Sequence, residues 1–178
     1  GLSMGLQLIF AVETNKTCKS DWIYIKDTIS KFYTINQAQI KLSTVYMDGK
    51  SNYIKKQKEV KSLISQYFKS SKSNKSQAIY CFDCDEYDKK PEDMQFLERA
   101  KNFCKDNEYE FVWFCKDIER VYLGKKVDDS KKREESTRFK SRCIIDNINE
   151  QDLSVSEYRQ NTSNILVVLD KFIERKQK

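Results

Sequence analysis

The side chains with the clearest capacity for chemistry are carboxylates placed where apolar runs end. Ile79-Tyr80-Cys81-Phe82 leads into Asp83-Cys84-Asp85-Glu86, which sets two carboxylates at positions i and i+2. In extended backbone that spacing points both to the same side. Phe10-Ala11-Val12-Glu13 repeats the arrangement with a single glutamate. Ligands of open α/β sheets sit outside the carboxyl ends of the strands, so Glu13, Asp83 and Asp85 share one crevice if these two strands are neighbours. Three carboxylates in one crevice repel strongly without a counter-ion, and an all-oxygen donor set suits Mg²⁺ or Mn²⁺ better than Zn²⁺. For the Asp-x-Asp alone the plainer alternative is a solvated pair that opens a loop and helps cap the next helix.

Composition narrows the chemistry further. The chain has no histidine, which excludes Ser-His-Asp and Cys-His nucleophiles, His-ligated zinc and a histidine proton shuttle. Its six cysteines, Cys18, Cys81, Cys84, Cys104, Cys115 and Cys143, lack the spacing of a disulfide framework and are expected as reduced thiols. Cys81 and Cys84 form a CxxC, but residues three apart in a strand face opposite sides and do not close on one zinc. The net charge of +6, with 34% of residues charged, favours a polyanionic partner and equally suits an ordinary soluble protein. No run approaches the roughly 20 apolar residues of a membrane-spanning helix, and Leu6 to Val12 is too short and lacks the basic flank of a signal peptide, so a cytoplasmic protein is expected. Gly1 to Ser3 ahead of Met4 reads as an expression scar.

The elements that must position these residues follow from periodicity. Leu6 to Val12, Ala78 to Phe82 and Phe111 to Cys115 are apolar runs of the kind covered on both faces of a parallel sheet. Ile40 to Met47 alternates and is expected nearer an edge. Between them, helical stripes run over Asp21 to Phe32 (Trp22, Ile25, Ile29, Phe32), Asn52 to Phe68 (Val60, Leu63, Ile64, Tyr67) and Glu92 to Cys104 (Phe96, Leu97, Ala100, Phe103). The resulting β-α-β-α-β-α-β order predicts an α/β fold: a largely parallel sheet with right-handed crossovers. Its length and composition suggest one domain over 1–178, with a core over about 6–124. The polar stretch 69–76 reads as a linker, and 125–142 as a charge-dense insertion outside the core. Helices are expected over 150–178: Ser154 and Glu157 match a capping box, and Ile165, Val168, Leu169, Phe172 and Ile173 form the stripe of a terminal helix begun near Ser163.

A glutamate after the first strand and an Asp-x-Asp after a later one resemble the TOPRIM domain. More narrowly the chain is similar to the RloB-like branch near the OLD-family nucleases, whose first motif reads Glu-Gly-x-x-Thr-Glu and whose later motif reads Asn-Pro-x-Phe-Glu-x-Trp. Ile118-Glu119 keeps the hydrophobic-Glu step of the later motif, and Asn161-Thr162-Ser163-Asn164-Ile165 resembles that branch's Asn-Pro-Ser-Thr-Asn-Val helix start. Thr14 stands where the family has glycine and Val121 where it has tryptophan, so the loop after Glu13 is expected to be differently shaped. The resemblance implies a TOPRIM-like fold and Mg²⁺-dependent, nuclease-like phosphoryl transfer on nucleic acid. It also implies an association with mobile-element or phage defence and an ATPase partner protein.

Other residues carry two readings each. Glu119 is either a surface carboxylate paired with Arg120 or Lys116, or, by the resemblance, a further carboxylate facing the site. Lys116 either contacts a phosphate or shields the cluster. The run from Lys125 to Arg142 holds eight basic residues (Lys125, Lys126, Lys131, Lys132, Arg133, Arg138, Lys140, Arg142) against four acidic ones. It is either a solvated helix of paired charges or a grip on a nucleic-acid backbone, and the lack of an apolar stripe predicts that it is mobile. Three functions therefore stand side by side. The first is the metal-dependent nuclease. The second is a noncatalytic TOPRIM-like module that binds nucleic acid or protein. The third is a haloacid-dehalogenase-like phosphatase with Asp83 and Asp85 as nucleophile and acid.

Overall fold

The apolar run Leu6–Val12 (β1) becomes an interior strand of a five-stranded sheet, and every residue from Gln7 to Val12 is buried. These coordinates are a computed structural model that describes residues 4–177; Gly1–Ser3 and Lys178 lie outside the described residues, and with them the expected expression scar. On one side β1 pairs in parallel with Ile40–Tyr46 (β3), and on the other with Lys75–Asp83 (β4). Strand β4 pairs in parallel with Glu110–Cys115 (β5). The two-residue strand Thr162–Ser163 (β6) closes the far edge antiparallel to β5. The order is thus β3-β1-β4-β5-β6, and the α/β, largely parallel sheet flanked by helices is the architecture expected from the alternation of elements. Strand β3 lies at the edge, in keeping with its alternating pattern and its single buried residue, Val45.

Strand alternation divides the core in two. Leu8, Phe10 and Val12 face one layer and Ile9 and Ala11 the other. The first layer is covered by Ser20–Phe32 (α1), Ile118–Leu123 (α4) and Lys132–Ser141 (α5), the second by Gln57–Ser70 (α2) and Pro91–Asp106 (α3). The polar residue inside β1, Gln7, is fully buried and satisfied: it donates to Leu63 O at 3.2 Å and Ser76 Oγ at 2.9 Å, and accepts from Ser43 Oγ at 2.7 Å. Cys81 and Cys84 fall in different layers, so the CxxC does not converge on a metal, and all six cysteines are free. Among the described residues no helix is long and apolar enough to cross a membrane.

Three expectations are corrected. The 125–142 run is part of the core: it folds as a 3-10 turn and α5, with Phe139 fully buried, 4.9 Å from Tyr24 and 5.6 Å from Tyr122 between ring centroids. One aromatic and the small Ser136, three residues apart, suffice to dock a helix whose other positions are polar, and so weak a stripe leaves no visible period. Second, 69–76 is no free linker, because α2 runs to Ser70 and β4 begins at Lys75. Third, the helices expected over 150–178 shrink to a 3-10 turn, Glu150–Leu153, and one short helix, Ile165–Leu169 (α6). No helix follows the Ser154–Glu157 pattern, since Tyr158 packs edge-on against Trp113 at 5.0 Å. After α6 the chain turns so that Asp170 accepts from Tyr33 Oη at 2.6 Å, and Glu174–Arg175 (β7) pairs with Tyr33–Thr34 (β2). These tertiary contacts override the apolar stripe that would otherwise continue the helix.

Candidate metal centre

Parallel pairing of β1 with β4 brings the two strand-end carboxylates together. Glu13 directly follows β1, Asp83 ends β4, and the Glu13 carboxylate accepts a hydrogen bond from the Asp83 backbone N–H. The other supports come from the loops at the same sheet edge. Gly49 N donates to Glu13 O at 2.9 Å, and Ile118 N donates to Asp83 Oδ1 at 3.0 Å. Asp21, in the first turn of α1, accepts from Thr14 N at 3.3 Å. Thr14 is not among the residues with positive φ, so that position needs no glycine; in the loop after Glu13 the left-handed residue is Lys19, with φ 56°, just ahead of α1. A cavity of about 370 Å³ opens here, with Glu13, Asp21, Asp48, Asp83, Asp129 and Lys132 in its wall.

Burial governs the electrostatics. It raises the Glu13 carboxyl to about 8, with Asp21 and Asp85 adding to the effect and the Asp83 N–H and Lys50 opposing it. Asp83 is held well above the carboxylate range, first by burial and then by Glu13, Asp21 and Glu119. Asp21 rises to about 6 through burial, against the pull of Lys132 and the Thr14 amide. Glu119, in the first turn of α4, is 2% exposed and rises to about 8 through burial and then Asp21. Its Oε2 has no hydrogen-bond partner, and Lys132 Nζ stands 4.0 Å from Oε1. Without a cation Glu13, Asp83 and Glu119 hold protons at neutral pH whereas Asp21 is largely ionised, and a bound cation would displace those protons.

The candidate residues separate into three groups. Glu13 and Asp83 come together as expected, and Glu119 is buried close enough to Asp83 to raise its carboxyl. Asp85 lies outside the cavity wall, in an ion pair with Lys50. Lys116 is drawn away to Glu86 at 3.0 Å and Asp88 at 3.4 Å. Of the basic run, Lys132 turns inward to Glu119 and Asp129, whereas Lys125, Lys131 and Arg138 pair with Glu134 or Glu135 along α5. Lys126 and Arg133 are exposed, with no ion pair among the described residues.

Neither Asp21 nor Lys50 stands out in the sequence as a site residue, and Lys132 stands there only within a basic run. Asp21 did carry a signal: an acidic residue in the first turn of the helix that follows Glu13, where the positive end of the helix dipole favours it. Among the described residues no three His, Cys, Asp or Glu side chains already converge on one ion position. Glu13 and Asp83 each spend one oxygen on a backbone N–H, so ligation would use the other. Compared with known proteins, the chain matches no family model, no curated protein and no solved structure.

Proposed function

We propose that the chain is a TOPRIM-like protein that binds Mg²⁺ or Mn²⁺ at Glu13 and Asp83, with Asp21 beside them, and acts in nuclease-like phosphoryl transfer on nucleic acid. One observation carries the reading: of the five acidic residues that line a single cavity at the carboxyl edge of a parallel sheet, three, Glu13, Asp21 and Asp83, have their proton affinity raised by burial. The donor set fits the ion, being all oxygen in a chain without histidine. When bound, such an ion orients water and stabilises the charge that develops on a phosphodiester. The protein's own share is positional. The Asp83 amide and Ile118 amide fix the two strand-end carboxylates, and Lys132, in the same cavity wall, would offer a cation to a phosphate oxygen. Asp85 joins the site only by leaving Lys50. That pairing also counts against the haloacid-dehalogenase-like alternative, which needs Asp83 and Asp85 acting together on one phosphate. Cytoplasmic residence, an ATPase partner and a place in mobile-element or phage defence belong to the same proposal and rest on the RloB-like resemblance alone.

The two lysines favour a second reading. Lys50 and Lys132 already supply positive charge to the cluster, as they would in a noncatalytic TOPRIM-like module. Titration calorimetry with Mn²⁺ decides between them. Wild type should bind and release protons, seen as heats that differ between buffers of different ionisation enthalpy, and Asp83→Asn should not bind. Mn²⁺-dependent cleavage of labelled DNA should vanish in the same variant. Binding without cleavage selects the module, and no binding at millimolar metal refutes the metal centre.

A further inference from the structure

The positive charge of this protein is not spread over it. Residues 50–75 hold eight lysines (Lys50, Lys55, Lys56, Lys58, Lys61, Lys69, Lys72, Lys75) against one acid, Glu59, a net +7. The whole chain carries +6, so everything outside this segment sums to −1. Among the described residues only Lys50 of the eight has an ion pair, and all the others except the half-buried Lys56 are exposed. The contrast is with α5, where neighbouring glutamates take up Lys125, Lys131 and Arg138.

Helix geometry orders this charge. Helix α2 docks on the sheet through Val60, Leu63 and Ile64, with half-buried Tyr67 on the same stripe and Lys41 Nζ of β3 over its ring. At 100° per residue, Lys58, Lys61 and Lys69 fall on the opposite stripe, together with Ser62 and Ser65. Lys55 and Lys72 extend the line at either end. Five unneutralised ammonium groups, those of Lys55, Lys58, Lys61, Lys69 and Lys72, repel one another along this surface and lower the energy of any polyanion laid across them. The line also starts at the candidate metal centre: Asp48 and Gly49 line the cavity, and Lys50 pairs with Asp85.

We infer that the exposed face of α2, with Lys55, Lys58, Lys61, Lys69 and Lys72, is a binding surface for the phosphodiester backbone of a nucleic acid. Charge complementarity argues for this occupant over an anionic membrane. The other apolar residues of α2 are at least half-buried; its one exposed apolar residue, Phe68, stands in the last turn of a helix about 21 Å long, and exposed Ile54 precedes the first turn, so the two form no patch that could enter a bilayer. The choice of nucleic acid among polyanions rests on the proposed function, but the surface itself requires neither metal nor cleavage.

The test is fluorescence anisotropy of a labelled DNA duplex and of its single strand, titrated with the full chain in EDTA across a range of salt. Wild type is expected to bind one or both forms with a steep salt dependence. Replacing Lys58, Lys61 and Lys69 together by Gln should reduce the slope of log K against log salt by up to about 2.7 and weaken binding at least about tenfold at low salt. Lys125→Gln, Lys131→Gln and Arg133→Gln together should change the slope less, and an unchanged thermal midpoint shows that both variants are folded. An unchanged slope in the α2 variant overturns the inference, as does an equal loss in the α5 variant or binding to phosphatidylserine vesicles without binding to DNA. Because EDTA removes any metal, a DNA-binding chain that fails calorimetry with Mn²⁺ sinks the metal centre and leaves this surface standing.

Discussion

Glu119→Gln should stabilise this protein at alkaline pH. The side chain is 2% exposed, its Oε2 lacks a partner, and its carboxyl moves from the ordinary 4.5 to about 8, chiefly because burial disfavours its charge. A carboxyl raised on folding means that the native state binds more protons than the unfolded chain between those two values. Stability is therefore fully present below about pH 4.5 and is lost as pH rises through about 8. Each tenfold displacement of an ionisation equilibrium is about 1.4 kcal/mol, so the full penalty approaches about 5 kcal/mol. Asp21 shares the same titration, and Gln forfeits the attraction of Lys132 at 4.0 Å. A net gain of about 2–3 kcal/mol is the expectation, roughly half the ceiling set by the ionisation equilibrium. Urea unfolding followed by tryptophan fluorescence, in EDTA at pH 4.5, 6.5 and 8.5, measures it. The two proteins should be nearly equal at pH 4.5 and diverge upward, with the variant ahead. A variant that is less stable at every pH would refute the reasoning, because Glu119 would then be held by favourable contacts instead of tolerated as a buried charge.

Three further outcomes are expected. Phe139→Ala should cost about 3–5 kcal/mol in urea unfolding, since the ring fills the space between α1 and α4, and a loss under 1 kcal/mol would return 125–142 to the surface. Lys132→Gln removes the cation that opposes proton uptake at Asp21 and Glu119. Its thermal midpoint should fall more steeply than wild type's from pH 5 to 8.5 and recover in millimolar Mg²⁺, and parallel pH profiles would count against Lys132 as the counter-charge. In the native protein Ellman's reagent should modify exposed Cys143 first and Cys18 more slowly, and it should reach Cys81, Cys84, Cys104 and Cys115 only on unfolding; rapid reaction of four or more thiols would contradict the packing.

What the sequence revealed and concealed follows from the range of the interactions. Buried parallel strands announce themselves through local apolar runs, so the places of β1, β4 and β5, and with them Glu13 and Asp83, were readable. Asp85 was misjudged because alternation assigns it to the same side as Asp83, whereas its φ of 52° rotates it out of strand geometry and towards Lys50. Lys132 and Glu119 meet only after α5 folds back onto α1 and α4, and no local pattern encodes that return. The terminal segment misled for the opposite reason. Its apolar spacing was real, but Asp170, Tyr33 and Arg175 redirect the backbone in mid-stripe.

The closing strand β6 also sets an order in time. Its neighbour Asn164 imitates a strand residue: the side-chain amide accepts from Trp113 N and donates to Phe111 O, each at 2.9 Å, while Ser163 Oγ donates to Trp113 O at 2.7 Å. During synthesis β5 leaves the ribosome about fifty residues before these partners do. Throughout that interval the nascent sheet presents Phe111-Val112-Trp113-Phe114 along an open edge, the kind of surface that recruits other chains. Whatever protects this protein from aggregation while it is being made has to act on β5, and its work ends when Asn164 arrives.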